Sequence, residues 1–325
     1  MHAAPERLAM KRRELLQKSA ALGFLAAMPC SPSGKPRADA ESSYGFKEEE
    51  ANKPADVRNP LKPPAEGSIP VAFLISDGAV VIDFAGPWEV FGNVMIHGRM
   101  DIFHLYTVAE TLKPIRASGG MKIIPDYTLE TAPAPKVLVL PAQNNDSDAV
   151  LSWIRKSSKS ADVTFSVCTG AYLLAQTGLL AGKAATTHHA SYVDLATKYP
   201  NIRVKRGARF VEDGNLASSG GLSSGIDLAF RVVERYYGRE VAKQAAYDME
   251  YQGQGWMDPD SNAVYAKVPT SKNSHPLCAV CGMDVDEANG PMSIYKGMTY
   301  HFCSGGHKKQ FDATPEKFVE LLQKQ

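Results

Sequence analysis

Three short runs constrain this chain more than anything else in it: Val71-Ala72-Phe73-Leu74-Ile75, Lys136-Val137-Leu138-Val139-Leu140 and Val163-Thr164-Phe165-Ser166-Val167. A strand with one wet face alternates apolar and polar residues. Runs that hardly alternate and are rich in β-branched and aromatic residues read as strands covered on both faces, the habit of central strands in a parallel sheet. Each run leads into a segment with helical character: residues 80–91, residues 149–154 and residues 169–177. A further strand is expected over 102–108. Buried strands alternating with helices predict an α/β fold, a doubly wound and mainly parallel sheet. Ligands of such sheets sit beyond the carboxyl ends of the strands, which is where Asp83, Ala142, Gln143 and Cys168 fall.

The third run carries the chemistry. Cys168 stands where the strand turns into small residues (Thr169, Gly170, Ala171) and then into apolar residues at helical spacing. That is the layout of a nucleophile elbow, with sulfur in place of oxygen. Free amides at the following helix start are expected to favour the thiolate. The competing reading is a small buried hydrophobe. Asp83 lies among large apolar residues, and reads either as a helix N-cap or as a carboxyl with raised pKa in a pocket. Within residues 80–91 the chain turns and then enters a helix, whose first turn Pro87 suits. Downstream, residues 184–187 lead as a strand into His188 and His189. Ser191 with Asp194 looks like a capping box, Asp213-Gly214 like a hairpin turn, and Ser224 like a helix cap.

The first 40 residues are set apart. Arg12-Arg13 precedes a short apolar run over 20–28, and Ala38-Asp39-Ala40 fits a small-x-small cleavage site. This predicts a twin-arginine export signal and a periplasmic protein, the run being too short to span a bilayer. Cys30 follows a poor lipobox, which argues against a lipid anchor. Without residues 1–40 the chain holds 29 basic and 32 acidic residues, net −3, so no nucleic-acid partner and no transmembrane span is expected of the mature chain. Residues 41–68 and 253–274 are rich in Pro, Gly and polar residues and read as a disordered linker and a second connection around a domain over 69–252.

The remaining cysteines cluster in residues 275–325: Cys278-x2-Cys281, 21 intervening residues, then Cys303-x3-His307. Two close pairs across a hairpin-sized gap predict one tetrahedral metal site of three thiolates and one imidazole, suited to zinc, with copper(I) as the alternative. His301 and His275 are rival nitrogen donors, but His301 is only two residues before Cys303 and is expected to face away. The module is a small α+β unit stapled by its metal.

Two family resemblances follow from these motifs. Asp83-Phe84-Ala85-Gly86-Pro87-Trp88-Glu89-Val90-Phe91, Ser166-Val167-Cys168-Thr169-Gly170-Ala171 and Ala185-Thr186-Thr187-His188 resemble the ThiJ/PfpI superfamily, flavodoxin-like relatives of class I glutamine amidotransferases, in the branch of isonitrile hydratase and the ligand domains of AraC-type regulators. The resemblance implies Cys168 as nucleophile with Asp83 and Thr169 beside it, and Ala142, Gln143 and His188 around the pocket. Two departures matter. Thr169 replaces the His that follows Cys in the protease-like branch, so peptidase activity is not implied. Pro141-Ala142-Gln143 replaces the usual Pro-Gly-Gly oxyanion loop. Residues 275–325 resemble a YHS domain through Cys278-Ala279-Val280-Cys281-Gly282-Met283, Tyr300-His301-Phe302-Cys303-Ser304 and Phe311…Pro315-Glu316-Lys317-Phe318, with His307 at the usual fourth cysteine. The combined expectation is cysteine-dependent hydration or hydrolysis of a small electrophile beside a heavy-metal-binding domain. The alternative is a non-catalytic sensor or metal-handling protein. Assembly as a homodimer is left open.

Overall fold

The computed structural model describes residues 57–266, 276–286 and 290–323. The export signal, Cys30, most of the first linker and His275 lie outside the described residues. Strands β1 (Ile69–Leu74), β2 (Phe103–Ala109), β5 (Tyr127–Thr128), β6 (Val137–Leu140), β7 (Val163–Val167), β10 (Phe210–Asp213) and β11 (Leu216–Ser219) form one sheet in the order β10-β11-β7-β6-β1-β2-β5. Every pairing in it is parallel except the edge hairpin β10–β11. Two small pairs flank it, β3 (Ile115–Arg116) with β4 (Lys122–Ile123), and β8 (Ala184–Ala185) with β9 (Arg203–Val204). The C-terminal module is a hairpin, β12 (Met292–Tyr295) and β13 (Met298–His301), followed by two helices.

The uninterrupted apolar runs are explained by two cores, one on each face of the sheet. Val71, Phe73, Val137, Val139 and Phe165 point into the first, while Ala72, Leu74, Leu138 and Leu140 point into the second. Helices α1 (Val81–Gly92), α5 (Ser224–Tyr237) and α6 (Arg239–Asp248) cover the first face. Helices α2 (Asp148–Ser158), α3 (Ala171–Gln176) and α4 (Tyr192–Lys198) cover the second. Thr164 and Ser166 break the apolar pattern of β7 yet are fully buried, and Thr164 Oγ1 is satisfied by Ser158 of α2 at 3.0 Å.

Several local expectations fail for identifiable reasons. Pro87 is the seventh residue of α1 rather than part of its first turn, because the helix begins at Val81 and Asp83 already occupies that turn. Ser191 makes no side-chain cap; Asp194 instead accepts the Tyr172 hydroxyl at 2.5 Å and pairs with Lys198. Ser224 is the first helical residue of α5, and its cap Ser223 makes no side-chain cap bond. Order also sets in before Ser68. Arg231 and Arg235 of α5 donate to the carbonyls of Arg58 and Asn59, and Leu61 N–H donates to the Arg235 carbonyl at 2.7 Å. The two arginines share Glu212 on β10, so the entering strap is fastened to a buried ion-pair network. Over its described part, the 253–274 connection packs on the α/β domain through buried Trp256 and Asn262.

Candidate active site and metal centre

Strand β7 ends at Val167, and Cys168 opens a single 3-10 turn, Cys168–Gly170, ahead of α3. Its φ is +57°, a region a non-glycine residue enters only under constraint, at a cost of about 1–3 kcal/mol. Two bonds impose it. Cys168 N–H donates to the Gly220 carbonyl at 3.0 Å, and Thr187 Oγ1 donates to the Cys168 carbonyl at 2.9 Å. Gly170 lets the turn lie flat on the end of β6: a Cβ there would stand 2.2 Å from the Leu140 carbonyl oxygen. The small residues of the elbow are therefore a packing requirement as well as an approach route.

The thiol is nearly buried, 6 % exposed. Burial first, and the nearby Asp83 carboxylate second, push its pKa above the ordinary thiol value. Hydrogen bonds from the Leu222 and Thr169 amides and the Thr169 hydroxyl pull the other way and do not prevail. The expected depression by a helix start is thus reversed, because one 3-10 turn offers few aligned amides and the sulfur is desolvated.

Asp83 is completely buried, and burial raises its pKa to about 7 despite an opposing hydrogen bond from the Ala142 amide. That amide donates to Asp83 Oδ2 at 3.1 Å, while Oδ1 has no partner among the described residues. Asp83 is therefore not an N-cap: Val80 holds that position, and the Val81 amide at the helix start donates to Ser118 Oγ at 3.0 Å. Asp83 therefore titrates near neutrality, close enough to Cys168 for its charge to raise the thiol pKa.

The other predicted pocket residues divide. Ala142 joins the pair, but its amide is spent on Asp83 rather than left as an oxyanion donor. Gln143 Nε2 is tied to the Leu74 carbonyl at 2.8 Å and so secures the end of β1. His188 packs against Gly221, where a Cβ would come within 2.5 Å of its ring, and its Nδ1 accepts the Ala190 amide at 3.3 Å. Burial and neighbouring His189 lower its pKa, which keeps it neutral. Sequence reading missed the loop Gly220-Gly221-Leu222, which lays the Leu222 amide on the sulfur. The paired glycines directly after β11 were the available signal for a close backbone approach. Thr187 falls within the Ala185-Thr186-Thr187-His188 motif, but its bond to Cys168 depends on tertiary placement.

In the C-terminal module the four predicted donors converge, with all ligand atoms of Cys278, Cys281, Cys303 and His307 within 4.8 Å of one another. Cys281 and Cys303 sulfurs are 3.6 Å apart, Cys303 Sγ lies 3.1 Å from His307 Nδ1, and Cys278 Sγ lies 3.5 Å from the same nitrogen. A tetrahedral ion with sulfur at ~2.3 Å requires ligand–ligand edges of ~3.5–3.8 Å, so the cluster fits with little adjustment. The Cys278 thiol is drawn well below its ordinary value by the hydrogen bond from Cys281, which is raised in turn, as expected of thiols crowded to share one charge centre. Ser304 caps the next helix, α7 (Gly305–Ala313), by accepting the His307 amide at 3.2 Å, which sets His307 in its first turn facing the cysteines. His301 is outside the cluster. Among the described residues the module's core is seven buried residues, centred on Phe302, Phe311 and Phe318.

A strained cysteine at the strand–turn–helix junction, with a buried carboxyl beside it and an α/β sheet beneath, defines a thiol nucleophile-elbow protein. Residues 70–235 match the DJ-1/PfpI family, about half the chain, and residues 279–321 match the YHS domain. The chain belongs to the DJ-1/PfpI family and carries a C-terminal YHS domain. It is 32 % identical over 189 residues to an isonitrile hydratase of Pseudomonas putida, covering 57 % of this chain and 79 % of that protein. It is 26 % identical to the HTH-type transcriptional regulator CdhR of Pseudomonas aeruginosa, covering 54 % of this chain and only 52 % of the regulator. Among solved structures, a THiJ/PfpI family protein from Pseudomonas syringae superposes with TM-score 0.52 at 28 % identity, over 58 % of this chain and 77 % of the other. Drosophila melanogaster DJ-1beta, at 19 % identity and TM-score 0.50 over 57 % of this chain and all of its own, shares the fold.

Proposed function

We propose that the α/β domain hydrates a small electrophilic carbon, an isonitrile being the substrate class nearest its relatives, through Cys168. The observation that carries this is the buried pair of Cys168 and Asp83, each able to hold the proton at neutral pH. The sulfur bonds to the terminal isonitrile carbon as Asp83 gives that carbon a proton, and the thiol proton replaces the one Asp83 gave up. Water then adds to the resulting thioimidate carbon, a proton passes to nitrogen, the C–S bond breaks, and a formamide leaves with the thiol restored. No oxyanion develops in the first step, which suits a site whose Ala142 amide is committed to Asp83.

In the YHS domain, Cys278, Cys281, Cys303 and His307 would hold one metal ion. We read zinc as its resident, three thiolates balancing the ion and the closed four-donor set marking a structural role; copper(I) is the alternative that thiolate donors also accept. Export through the twin-arginine pathway belongs to this reading and rests on Arg12-Arg13 and the apolar run after it. Among the described residues no helix is long and apolar enough to cross a membrane. A ligand sensor is the second reading, favoured by the raised pKa of Cys168 and by the likeness to regulators.

Full-length metal-loaded protein incubated with an alkyl isonitrile separates the two. Loss of the isonitrile infrared band with matching formamide, abolished in Cys168→Ser and slowed in Asp83→Asn, supports the hydratase. Saturable binding without turnover supports the sensor.

A further inference from the structure

Between the α/β domain and the YHS domain lies a cavity of about 280 Å³. His189, Arg206 and Tyr265 contribute to one wall; Cys278, Gly282 and His301 contribute to the other. We propose that this cavity is a binding site for a small planar carboxylate, anchored by Arg206 and seated against the aromatic stack that ends in Tyr265.

Arg206 is a cation held in place without an anion among the described residues. Its Nε donates to the Ala266 carbonyl at 3.2 Å, and its guanidinium lies 5.3 Å over the Tyr192 ring. Among the described residues no carboxylate pairs with it, and no Asp or Glu lines the cavity. Burial draws its pKa down, offset only in part by the Tyr192 hydroxyl. Arg209, three residues on, shows the contrast: Asp227, Asn262 and Ser223 take up its donors. A partly desolvated guanidinium with unused donors is costly until a bidentate anion arrives.

The body of the ligand is set by the rest of the wall. The His188 and His189 rings lie 4.2 Å apart, tilted by 35°, and His189 stacks on Tyr265 at 5.1 Å with 22° between ring planes. Tyr265 closes this three-ring series and keeps 48 % of its surface exposed. A flat apolar group therefore has a rigid surface to lie on. The volume is just under the roughly 300–1,000 Å³ of pockets for drug-sized ligands, which limits the occupant to about one ring.

Two ligands of the metal site, Cys278 and Cys281, line this same cavity. A ligand seated there covers this face of the cysteine pair, and a chelator approaching from it meets the ligand first.

Titration calorimetry on the full-length, metal-loaded protein tests this with benzoate and inorganic phosphate as probes. Benzoate is expected to bind and phosphate to bind far more weakly. Arg206→Met, checked for unchanged metal content and near-UV dichroism, is expected to weaken benzoate at least about tenfold, the loss of one charged bidentate contact. A second measurement needs no variant: benzoate should slow extraction of the metal by a chelator. Benzoate that fails to bind at millimolar concentration, that binds Arg206→Met undiminished, that is outcompeted by phosphate, or that leaves extraction unchanged overturns the proposal.

Discussion

Asp83 lends itself to a quantitative test because its protonation is written into stability. Folding raises its pKa from 3.8 to about 7, chiefly by desolvation. A carboxyl whose folded pKa is raised favours the folded state below its unfolded pKa, and that advantage is lost as pH climbs toward the folded value. Between the two values the native state holds one proton more than the unfolded chain, so stability falls by about 1.4 kcal/mol per pH unit. From pH 5.5 to 7.5 this amounts to about 2 kcal/mol, the last part being lost as the native carboxyl itself ionises. Asp83→Asn keeps an acceptor for the Ala142 amide but cannot ionise. Its absolute stability depends on whether the new NH2 finds a partner where Oδ1 has none, a matter of about 1–3 kcal/mol in either variant's favour. The pH dependence is free of that ambiguity. Denaturant titrations of both full-length proteins at pH 5.5 and 7.5 should show the wild type losing about 2 kcal/mol relative to Asp83→Asn, and metal-site protonation cancels in the comparison. Parallel pH profiles would refute a buried carboxyl titrating near neutrality and, with it, the proton-carrier role.

Native Cys168 should react with iodoacetamide at neutral pH more slowly than the same residue in denatured chain, since burial raises its pKa; faster native labelling would show a preformed thiolate. Gly170→Ala should destabilise by about 3 kcal/mol or more, because its Cβ meets the Leu140 carbonyl at 2.2 Å and the turn must move; an unchanged denaturation midpoint would contradict that contact. Chelation of the full-length protein should expose the YHS amides to hydrogen exchange, and His307→Ala should weaken metal binding roughly a hundredfold while His301→Ala does not. Full amide protection in excess chelator, or a dominant effect of His301, would remove the donor assignment.

What was legible in the sequence follows from where burial is two-sided or spacing is rigid. Val71, Phe73, Val139 and Phe165 declared central strands because no face of those strands meets water. Cys278-x2-Cys281 and Cys303-x3-His307 declared a metal cluster because close pairs leave few geometries. What stayed hidden depends on partners far along the chain. The thiol pKa is set first by the depth of burial and then by Asp83 and Leu222, both far along the chain; only Thr169 acts on it from next door. Asp194 looked like half of a capping box until Tyr172 claimed it. Order in residues 57–61 comes from Arg231 and Arg235, more than 170 residues away.

The central claim is that Cys168 forms the covalent bond to substrate. Rapid quenching of wild-type protein during turnover of an alkyl isonitrile, followed by peptide mass mapping, tests it most directly. The account predicts a mass gain of one isonitrile on the peptide carrying Cys168, rising and then falling as formamide accumulates. Formamide produced with no adduct there, or adducts confined to Cys278, Cys281 and Cys303, would contradict it.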